Sequence, residues 1–273
     1  MEMIYSIDKV RLRFDLYLEE FKGIFKRFEF ESNVLYREKM SLLSYRHNFY
    51  FTGCNVFGEK CSYWVGAGHN SKNRGKVIDV VLEYNPNKCN GEKNLEYLKS
   101  KLIDNGKLCV VKSFDLAIDI YKNICDIIPN PVGRMNKRVI DNGGDNKTYY
   151  FKERNSNGAI KIYNKKRESN LKYDLTRYEI TLKPNIYLHR MNSYDIPVDL
   201  FIELFFIGGF QLDLDINGTD KVLLLACLEH SEYLRELPRK KKKKIEQLLK
   251  SSCSVVFSFA EIKRVVSSFF CGL

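Results

Sequence analysis

The hydrophobic and polar positions of the N-terminal part alternate in the pattern of an α+β unit. Residues 3 to 17, around "KVRLRFDLYL", alternate with period two and predict a strand, and "LEEFKGIFKRF" then carries apolar residues at helical spacing. "EKNLEYLKSKLIDNG" predicts a second helix that ends at Asn-Gly. Gly, Asn and Ser separate three further runs that predict strands: "HNFYFTGC", "CSYWVGAG" and "KVIDVVLEYN".

The same pattern begins again after residue 105. "VKSFDLAIDIY" resembles "VRLRFDLYL", and it is followed by three runs that predict strands: "NGGDNKTYYFKE", "GAIKIYNKKRE" and "LTRYEITLKP". A weak repeat of this kind indicates two similar strand-helix-hairpin units, 1–105 and 106–197, that form a mainly antiparallel sheet. Chance similarity among lysine-rich strands is the alternative. We therefore predict an α+β region over residues 1–197.

Residues 198–273 predict a helical, basic C-terminal region. Its apolar segments are "VDLFIELFFIGGF", "DKVLLLACLEHSEYLRELP", "RKKKKKIEQLLK" and "FAEIKRVVSSFF". The basic run follows Pro238 and is expected to begin a helix. Its charges either contact DNA phosphates or form a solvated face. The candidate DNA-binding residues in this run are Arg239, Lys240, Lys241 and Lys242.

Net charge narrows the classes of partner. Among 273 residues, 45 Lys and Arg against 34 Asp and Glu leave a formal charge of +11. Lys and Arg neutralise phosphates and release counterions, which gives affinity for nucleic acid. A membrane surface, or solubility alone, would also explain such a charge.

Membrane insertion and secretion are not indicated. No window approaches the roughly 18 uninterrupted apolar residues that a spanning helix requires, and the N-terminus does not resemble a secretory signal. The eight cysteines form no CxxC pair, which favours reduced thiols. We therefore expect a cytoplasmic protein without a membrane partner.

Three strands each place polar side chains opposite an apolar face, since positions i and i+2 of a strand point the same way. The apolar faces contain Leu116, Ile118 and Ile120; Ile160 and Ile162; and Tyr178, Ile180 and Leu182. If these faces share a core, one polar surface collects Asp115, Asp119, Lys161, Tyr163, Lys165, Arg177, Glu179 and Thr181.

This set of side chains suits phosphoryl transfer. Hard divalent ions such as Mg²⁺ or Mn²⁺ bind carboxylate oxygens, so Asp115, Asp119 and Glu179 are candidate metal ligands. Tyr163 is a candidate nucleophile, and neighbouring cations, Lys161 and Lys165, are expected to favour its phenolate over the phenol of pKa about 10. Taken singly, such residues often occupy turns or exposed sheet faces.

The order of these motifs resembles the replication initiators of rolling-circle plasmids, with the related nicking proteins of integrative elements and filamentous phages. "FDLAIDIY" is similar to the family's aspartate strand, "TYYFKERNSNGAIKIYNKKRE" to its tyrosine motif, and "RYEITLK" to its Arg-x-Glu strand. "LEYNPNKCNGEKNL" also has a counterpart in the phage branch. The resemblance covers residues 75 to 185. It implies a nicking-endonuclease fold without the paired histidines of many such enzymes.

The resemblance also implies a site-specific DNA endonuclease and strand transferase that needs Mg²⁺ or Mn²⁺. Tyr163 would form a 5′-phosphotyrosyl link, Lys161 and Lys165 would hold phosphate oxygens, and Arg177 and Arg154 would contact DNA. The implied partners are origin DNA, single-stranded or as a hairpin, a host helicase and polymerase, and a second copy of the chain.

Three alternatives remain open from the sequence. A non-catalytic origin-binding protein of the same fold would bind the DNA backbone without cutting it. In a structural protein, the basic charge would have no role in DNA binding. A relaxase of an integrative element would share the chemistry. Tyr149 or Tyr150 could also replace Tyr163 as the nucleophile, since both precede the turn before it.

Overall fold

The computed structural model describes residues 2–30, 37–38, 45–69, 77–106, 108–130, 136–153, 156–206, 217–229 and 233–273. It divides into two compact units, and the boundaries after residues 4, 117 and 180 fall within strands. We call them the Trp64 unit and the Tyr163 unit after a residue of each. The Trp64 unit comprises Tyr5–Ala117, Thr181–Ile196 and Ala260–Leu273. The Tyr163 unit comprises Met1–Ile4, Ile118–Ile180 and Pro197–Phe259.

The strands and helices are numbered along the chain. The strands are β1 (Met3–Tyr17), β2 (Arg37–Glu38), β3 (Tyr45–Cys54), β4 (Lys60–His69), β5 (Val77–Tyr84), β6 (Cys109–Ile120), β7 (Ile127–Asn130), β8 (Lys137–Asp141), β9 (Lys147–Phe151), β10 (Ala159–Asn164), β11 (Thr176–Leu182), β12 (Ile186–Tyr187), β13 (Glu203–Phe206) and β14 (Ser254–Val255). The α-helices are α1 (Leu18–Phe30), α2 (Lys93–Asn105), α3 (Lys165–Glu168), α4 (Gly218–Glu229), α5 (Tyr233–Glu236), α6 (Arg239–Cys253) and α7 (Phe259–Cys271). Short 3₁₀ helices span Ile124–Asp126, Leu188–Ser193 and Val198–Leu200.

The sheet of the Trp64 unit has the strand order β2-β3-β4-β5-β1-β6, and β12 pairs with β6. β1 alternates strictly, so that Val10, Leu12, Phe14 and Leu16 are buried on one face. The α2 helix buries three leucines and begins at Glu92, whose carboxylate accepts a hydrogen bond from the N–H of Leu95. The other sheet face is left for polar and aromatic side chains.

The Tyr163 unit contains the sheet order β11-β10-β9-β8 and a separate three-stranded sheet, β14-β13-β7. Tyr178 is fully buried and its hydroxyl accepts a hydrogen bond from the N–H of Ile202 at 3.2 Å. A second apolar core forms where the small sheet meets the C-terminal helices of this unit. Its buried members are Ile128, Phe205, Leu224, Cys227, Leu234, Ile245 and Leu249.

The predicted fold class, an α+β protein with a mainly antiparallel sheet, is confirmed, and strands occur where the alternating runs indicated them. The division into units differs from the predicted one. The break lies between residues 117 and 118 rather than near 105, and the C-terminal part is shared between both units. Phe270 of α7 packs against Phe114 of β6 at 5.3 Å between ring centroids, which ties the last helix to the Trp64 unit.

The first segment of the C-terminal region was predicted to be helical, and this was wrong for its described part. The residues 203–206 form β13, which pairs with β7 and β14, after a single 3₁₀ turn. Residues 207–210 of the same segment lie outside the described residues. The other three C-terminal segments contain the helices α4 to α7. Within the described residues, no helix is both long and apolar enough to cross a membrane.

Candidate functional site

Tyr163 lies near the end of β10 and is 5% exposed. Its hydroxyl donates a hydrogen bond of 2.6 Å to Oε1 of Glu179 on the neighbouring strand β11. The sequence predicted that these two side chains share a surface, and the structure brings them into direct contact. A carboxylate at this distance can accept the phenolic proton.

The two lysines next to Tyr163 do not have the predicted effect on its acidity. Burial, followed by the negative charge and hydrogen bond of Glu179, raises the pKa of Tyr163 above its ordinary value. Arg177 acts in the opposite direction and does not cancel this rise. Lys161 places its ammonium 3.6 Å from the centroid of the Tyr163 ring, as in a cation–π contact. Tyr163 is therefore held as a phenol beside a base, and not as a phenolate.

Arg177 and Asp119 form a two-point ion pair between β11 and β6. Nε of Arg177 donates to Oδ1 of Asp119 at 2.6 Å, and Nη2 donates to Oδ2 at 2.7 Å. The side chains retain only 10% and 15% of their exposure. Paired forks of this kind fix both orientation and charge. Arg177 was expected to contact DNA, and its guanidinium binds Asp119 in this structure.

The three predicted metal ligands do not form a joint site. Among the described residues, no three His, Cys, Asp or Glu side chains lie together as a metal site requires. Asp119 binds Arg177, Glu179 binds Tyr163, and Asp115 belongs to the Trp64 unit, where Thr181 donates a 2.7 Å hydrogen bond to it. Burial raises the pKa of Asp115. Each of the three carboxylates therefore has a different protein partner, and the proposed metal dependence remains a prediction.

Lys165 was predicted to extend the polar face of β10, and this was wrong. β10 ends at Asn164, whose side-chain oxygen accepts a hydrogen bond from the N–H of Arg167 and so caps α3. The amide of Asn164 also donates to both a backbone and a side-chain oxygen of Asp145. Lys165 therefore begins a helix, with its ammonium paired to Glu168 and 6.0 Å from the Tyr163 ring centroid.

The register of β9 and β10 separates the two alternative nucleophiles. Tyr150 lies opposite Lys161 and Tyr149 lies opposite Ile162, so only Tyr150 shares a sheet face with Lys161 and Tyr163. Tyr149 is buried on the other face. Arg154, a predicted DNA contact, lies outside the described residues.

The basic run of α6 is partly neutralised inside the protein. Lys241 and Lys244 place their ammonium groups 2.9 and 2.5 Å from the carboxylate of Asp220, which is fully buried at the start of α4. Hydrogen bonds from these lysines lower the pKa of Asp220 to about 2. Arg239 and Lys240 are exposed, and Lys242 lies 3.9 Å from Glu246. No pattern in the sequence indicated this role for Asp220, which lies 21 residues before Lys241.

A concave site in the Trp64 unit was missed by the sequence analysis. It is a cavity of about 330 Å³ on the polar face of the sheet. Its lining combines aromatic rings with carboxylates. The lining residues are Asp8, Lys9, Tyr50, Ser62, Tyr63, Trp64, Glu83, Tyr84, Asn85 and Asp115.

Comparison with known proteins relates the chain to replication initiation proteins. Two such proteins of Staphylococcus aureus are each 28% identical to it, over 180 and 181 residues, which is 63% of this chain and 54% and 55% of theirs. The resemblance to replication initiators is thus confirmed at the level of sequence, and the chain spans just over half the length of those relatives.

No protein-family model matches the sequence. The rolling circle replication initiator protein from Geobacillus stearothermophilus has a solved structure that covers 67% of this chain and 75% of its own. The TM-score is 0.36 at 14% identity, and a similarity this low supports no inference about function.

Proposed function

We propose that the chain initiates rolling-circle replication by cutting and rejoining one DNA strand, with Tyr163 as the nucleophile. The observation that carries this proposal is the 2.6 Å hydrogen bond from Tyr163 to Glu179. This contact supports the proposal because it joins a phenol to a carboxylate in the unit that also contains Lys161 and Arg177. Sequence similarity to replication initiation proteins supports the same class of function.

The chemical step follows from these positions. Oη of Tyr163 attacks the phosphorus of a DNA phosphodiester, and the phenolic proton passes to Glu179. The bond from phosphorus to the 3′ oxygen breaks, and that oxygen takes a proton from solvent. The products are a free 3′-OH and a 5′ phosphate joined to Tyr163. Attack of a 3′-OH on this link reverses the reaction and rejoins the strand.

The raised pKa of Tyr163 is compatible with this step. A phenol that ionised readily would already be charged and would be repelled by the DNA phosphate and by Glu179. A phenol that stays protonated gives up its proton only as the new bond forms, which is general-base catalysis. Lys161, 3.6 Å from the ring centroid, supplies positive charge beside the developing phosphate charge.

Dependence on Mg²⁺ or Mn²⁺ remains a prediction, and no step above relies on a metal. The remaining partners are likewise proposals: origin DNA as a single strand or hairpin, a host helicase and polymerase, and a second copy of the chain. A DNA-binding protein without cutting activity is a second candidate. It is favoured by the Arg177–Asp119 pair, because both oxygens of Asp119 already accept hydrogen bonds from the guanidinium.

The experiment uses end-labelled single-stranded oligonucleotides that carry the hairpins of the replicon encoding the chain. They are incubated with the protein and Mn²⁺, Mg²⁺ or EDTA, then run on a denaturing gel and mapped by peptide mass. We expect a covalent adduct on Tyr163 that is absent in Tyr163→Phe and retained in the matched control Tyr150→Phe. An adduct on Tyr150 would reassign the nucleophile. Salt-sensitive binding without any adduct would favour the non-catalytic candidate.

A further inference from the structure

A row of side chains crosses the polar face of the sheet in the Trp64 unit. Tyr50 of β3 lies opposite Trp64 of β4, Trp64 lies opposite Glu83 of β5, and Glu83 lies opposite Arg11 of β1. Opposed residues of antiparallel strands share a face, so all four side chains project to the same side. Tyr50 is 37% exposed. The row presents two aromatic rings next to charged groups at the surface.

Close packing holds the Trp64 ring in place within this row. A Cβ atom at Gly66, two residues further along β4, would lie 2.5 Å from the Trp64 ring and 2.9 Å from that of Tyr45. Only glycine leaves room for the indole at this point. Tyr45 meets Trp64 edge to face at 5.6 Å between centroids, and the guanidinium of Arg11 lies 5.6 Å from the same centroid.

The cavity of about 330 Å³ opens beside this row and has an acidic lining. Its carboxylates come from Asp8, Glu83 and Asp115, and Glu83 is paired with Lys9 at 2.8 Å and with Arg11 at 2.7 Å. Its volume is at the small end of the range for small-molecule sites. The indole Nε1 of Trp64 is buried and has no hydrogen-bond partner among the described residues. The site therefore offers stacking surface and hydrogen-bond acceptors, and its three carboxylates outnumber the two cations beside them.

These properties select the base of a nucleotide rather than its phosphate. Proteins bind unpaired bases by stacking them on aromatic rings and by hydrogen bonds to their edges. A carboxylate accepts from the exocyclic amino group of cytosine, whereas thymine presents a carbonyl oxygen at the same position. The formal charge of +11 leaves basic residues elsewhere on the chain for the phosphates.

We propose that the cavity beside Trp64 binds one unpaired, amino-bearing base of a DNA strand, stacked against Trp64 and Tyr50 and hydrogen-bonded to its carboxylates. This proposal rests on the proposed function for the presence of single-stranded DNA. It adds a base-reading site in the Trp64 unit, apart from the residues of the cutting step. Asp115, first assigned to a metal, becomes an acceptor for the base edge.

The test uses the fluorescence of Trp64, the only tryptophan of the chain. Short oligo(dC) and oligo(dT) are titrated into the full chain, and binding is followed in parallel by anisotropy of labelled strands. We expect oligo(dC) to quench the emission to saturation and oligo(dT) to bind about tenfold more weakly at this site. Free dCMP distinguishes a nucleotide site from a strand site, because dCMP should quench only at far higher concentration.

Two variants and a matched control separate the pocket from general DNA binding. Tyr50→Leu removes one ring and should raise the Kd for oligo(dC) about tenfold. Asp115→Asn keeps the shape of the side chain and should abolish the preference for oligo(dC) over oligo(dT). Phe57→Leu removes an aromatic ring that is 77% exposed and outside the cavity. It should change neither the Kd for oligo(dC) nor the preference for oligo(dC) over oligo(dT).

Each outcome bears on a different claim. The base-binding proposal would be refuted if strands bound without a change in Trp64 emission, or if oligo(dC) and oligo(dT) gave equal responses. The cutting proposal would still stand. Quenching by dCMP as strong as by the strand would make the cavity a free-nucleotide site instead. No binding of any strand would overturn both proposals. Quenching by oligo(dC) that persists in Tyr163→Phe would show that the pocket acts without the nucleophile.

Discussion

Removal of the Asp119 carboxylate should lower the stability of the fold as well as the cutting activity. If Asp119 served mainly as a metal ligand, Asp119→Ala would impair cutting and spare the fold. In the structure its carboxylate instead neutralises Arg177, which is 8% exposed. The alanine variant leaves that guanidinium buried and without this counter-charge.

The magnitude follows from the burial of the pair. Breaking a buried ion pair by removing one partner costs about 3–5 kcal/mol, because the remaining charge is not compensated. The side chains of Arg177 and Asp119 keep 10% and 15% exposure, so some water can reach the guanidinium. We therefore expect the low end, about 3 kcal/mol, for Asp119→Ala. Asp119→Asn retains one acceptor and should cost about half of that, roughly 1.5 kcal/mol.

Urea unfolding provides the measurement. With slopes of about 1–3 kcal/mol per molar urea, a loss of about 3 kcal/mol moves the midpoint by about 1 M or more. The exposed carboxylate of Asp199 in the same unit supplies the control, and Asp199→Ala should leave the midpoint unchanged. Equal midpoints for wild type, Asp119→Ala and Asp119→Asn would refute the reasoning. Asp119 would then be free to act chiefly as a ligand.

Three further changes test other contacts. Glu179→Gln removes the charge that helps to raise the pKa of Tyr163, so this pKa should fall towards 10 yet stay above it, because burial is the larger cause. NMR titration of labelled tyrosine measures it. Asp220→Asn should lower the free energy of unfolding at neutral pH. Its difference from wild type, the gap, should persist above about pH 4 and close towards pH 2. The reason is that the folded pKa of Asp220, about 2, lies below the ordinary value of 3.8. Urea unfolding at each pH follows this gap. Tyr178→Phe leaves the buried N–H of Ile202 without its acceptor, and thermal unfolding should show a loss of about 1–3 kcal/mol.

Each of these has a contrary result and a control. A Tyr163 pKa unchanged in Glu179→Gln would mean that the carboxylate does not control the phenol, and the spectrum of Tyr163→Phe assigns the resonance. A gap for Asp220→Asn that is constant from pH 6 to pH 2 would show that the lysine contacts do not lower its pKa. Full stability of Tyr178→Phe, with exposed Tyr173→Phe as the matched control, would show that water satisfies Ile202.

The faces of the central strands could be predicted because side chains alternate strictly along a strand. That rule placed Tyr163 with Glu179, and Leu116, Ile118 and Ile120 in the core, as the structure has them. The rule ceases to apply where the strand ends. Lys165 was misplaced because the cap formed by Asn164 depends on contacts across the chain that periodicity does not reveal.

The pairing register of strands and the short length of one apolar run explain what the sequence did not predict. The cavity beside Trp64 exists because Tyr50, Trp64 and Glu83 lie opposite one another. Pairing register depends on the turns between strands as well as on the hydrophobic pattern, and a single strand does not reveal it. The apolar run at 203–206 is equally compatible with a helix and a buried strand, and its pairing with β7 decided the outcome. The pKa of Tyr163 depends mainly on burial, and the spacing of lysines in the sequence does not reveal burial.

If α6 binds DNA as proposed, the buried carboxylate of Asp220 also limits how steeply salt can weaken that binding. Each lysine or arginine that meets a phosphate contributes about 0.9 to the slope of log K against log salt, through release of one counterion from DNA. Six basic residues lie between Arg239 and Lys244, and two of them already hold Asp220. The run should therefore add a slope of about 3.6 and not about 5.4. Two lysines of the helix thus stabilise the fold, and any affinity of α6 for DNA should fall less steeply with salt than its sequence suggests.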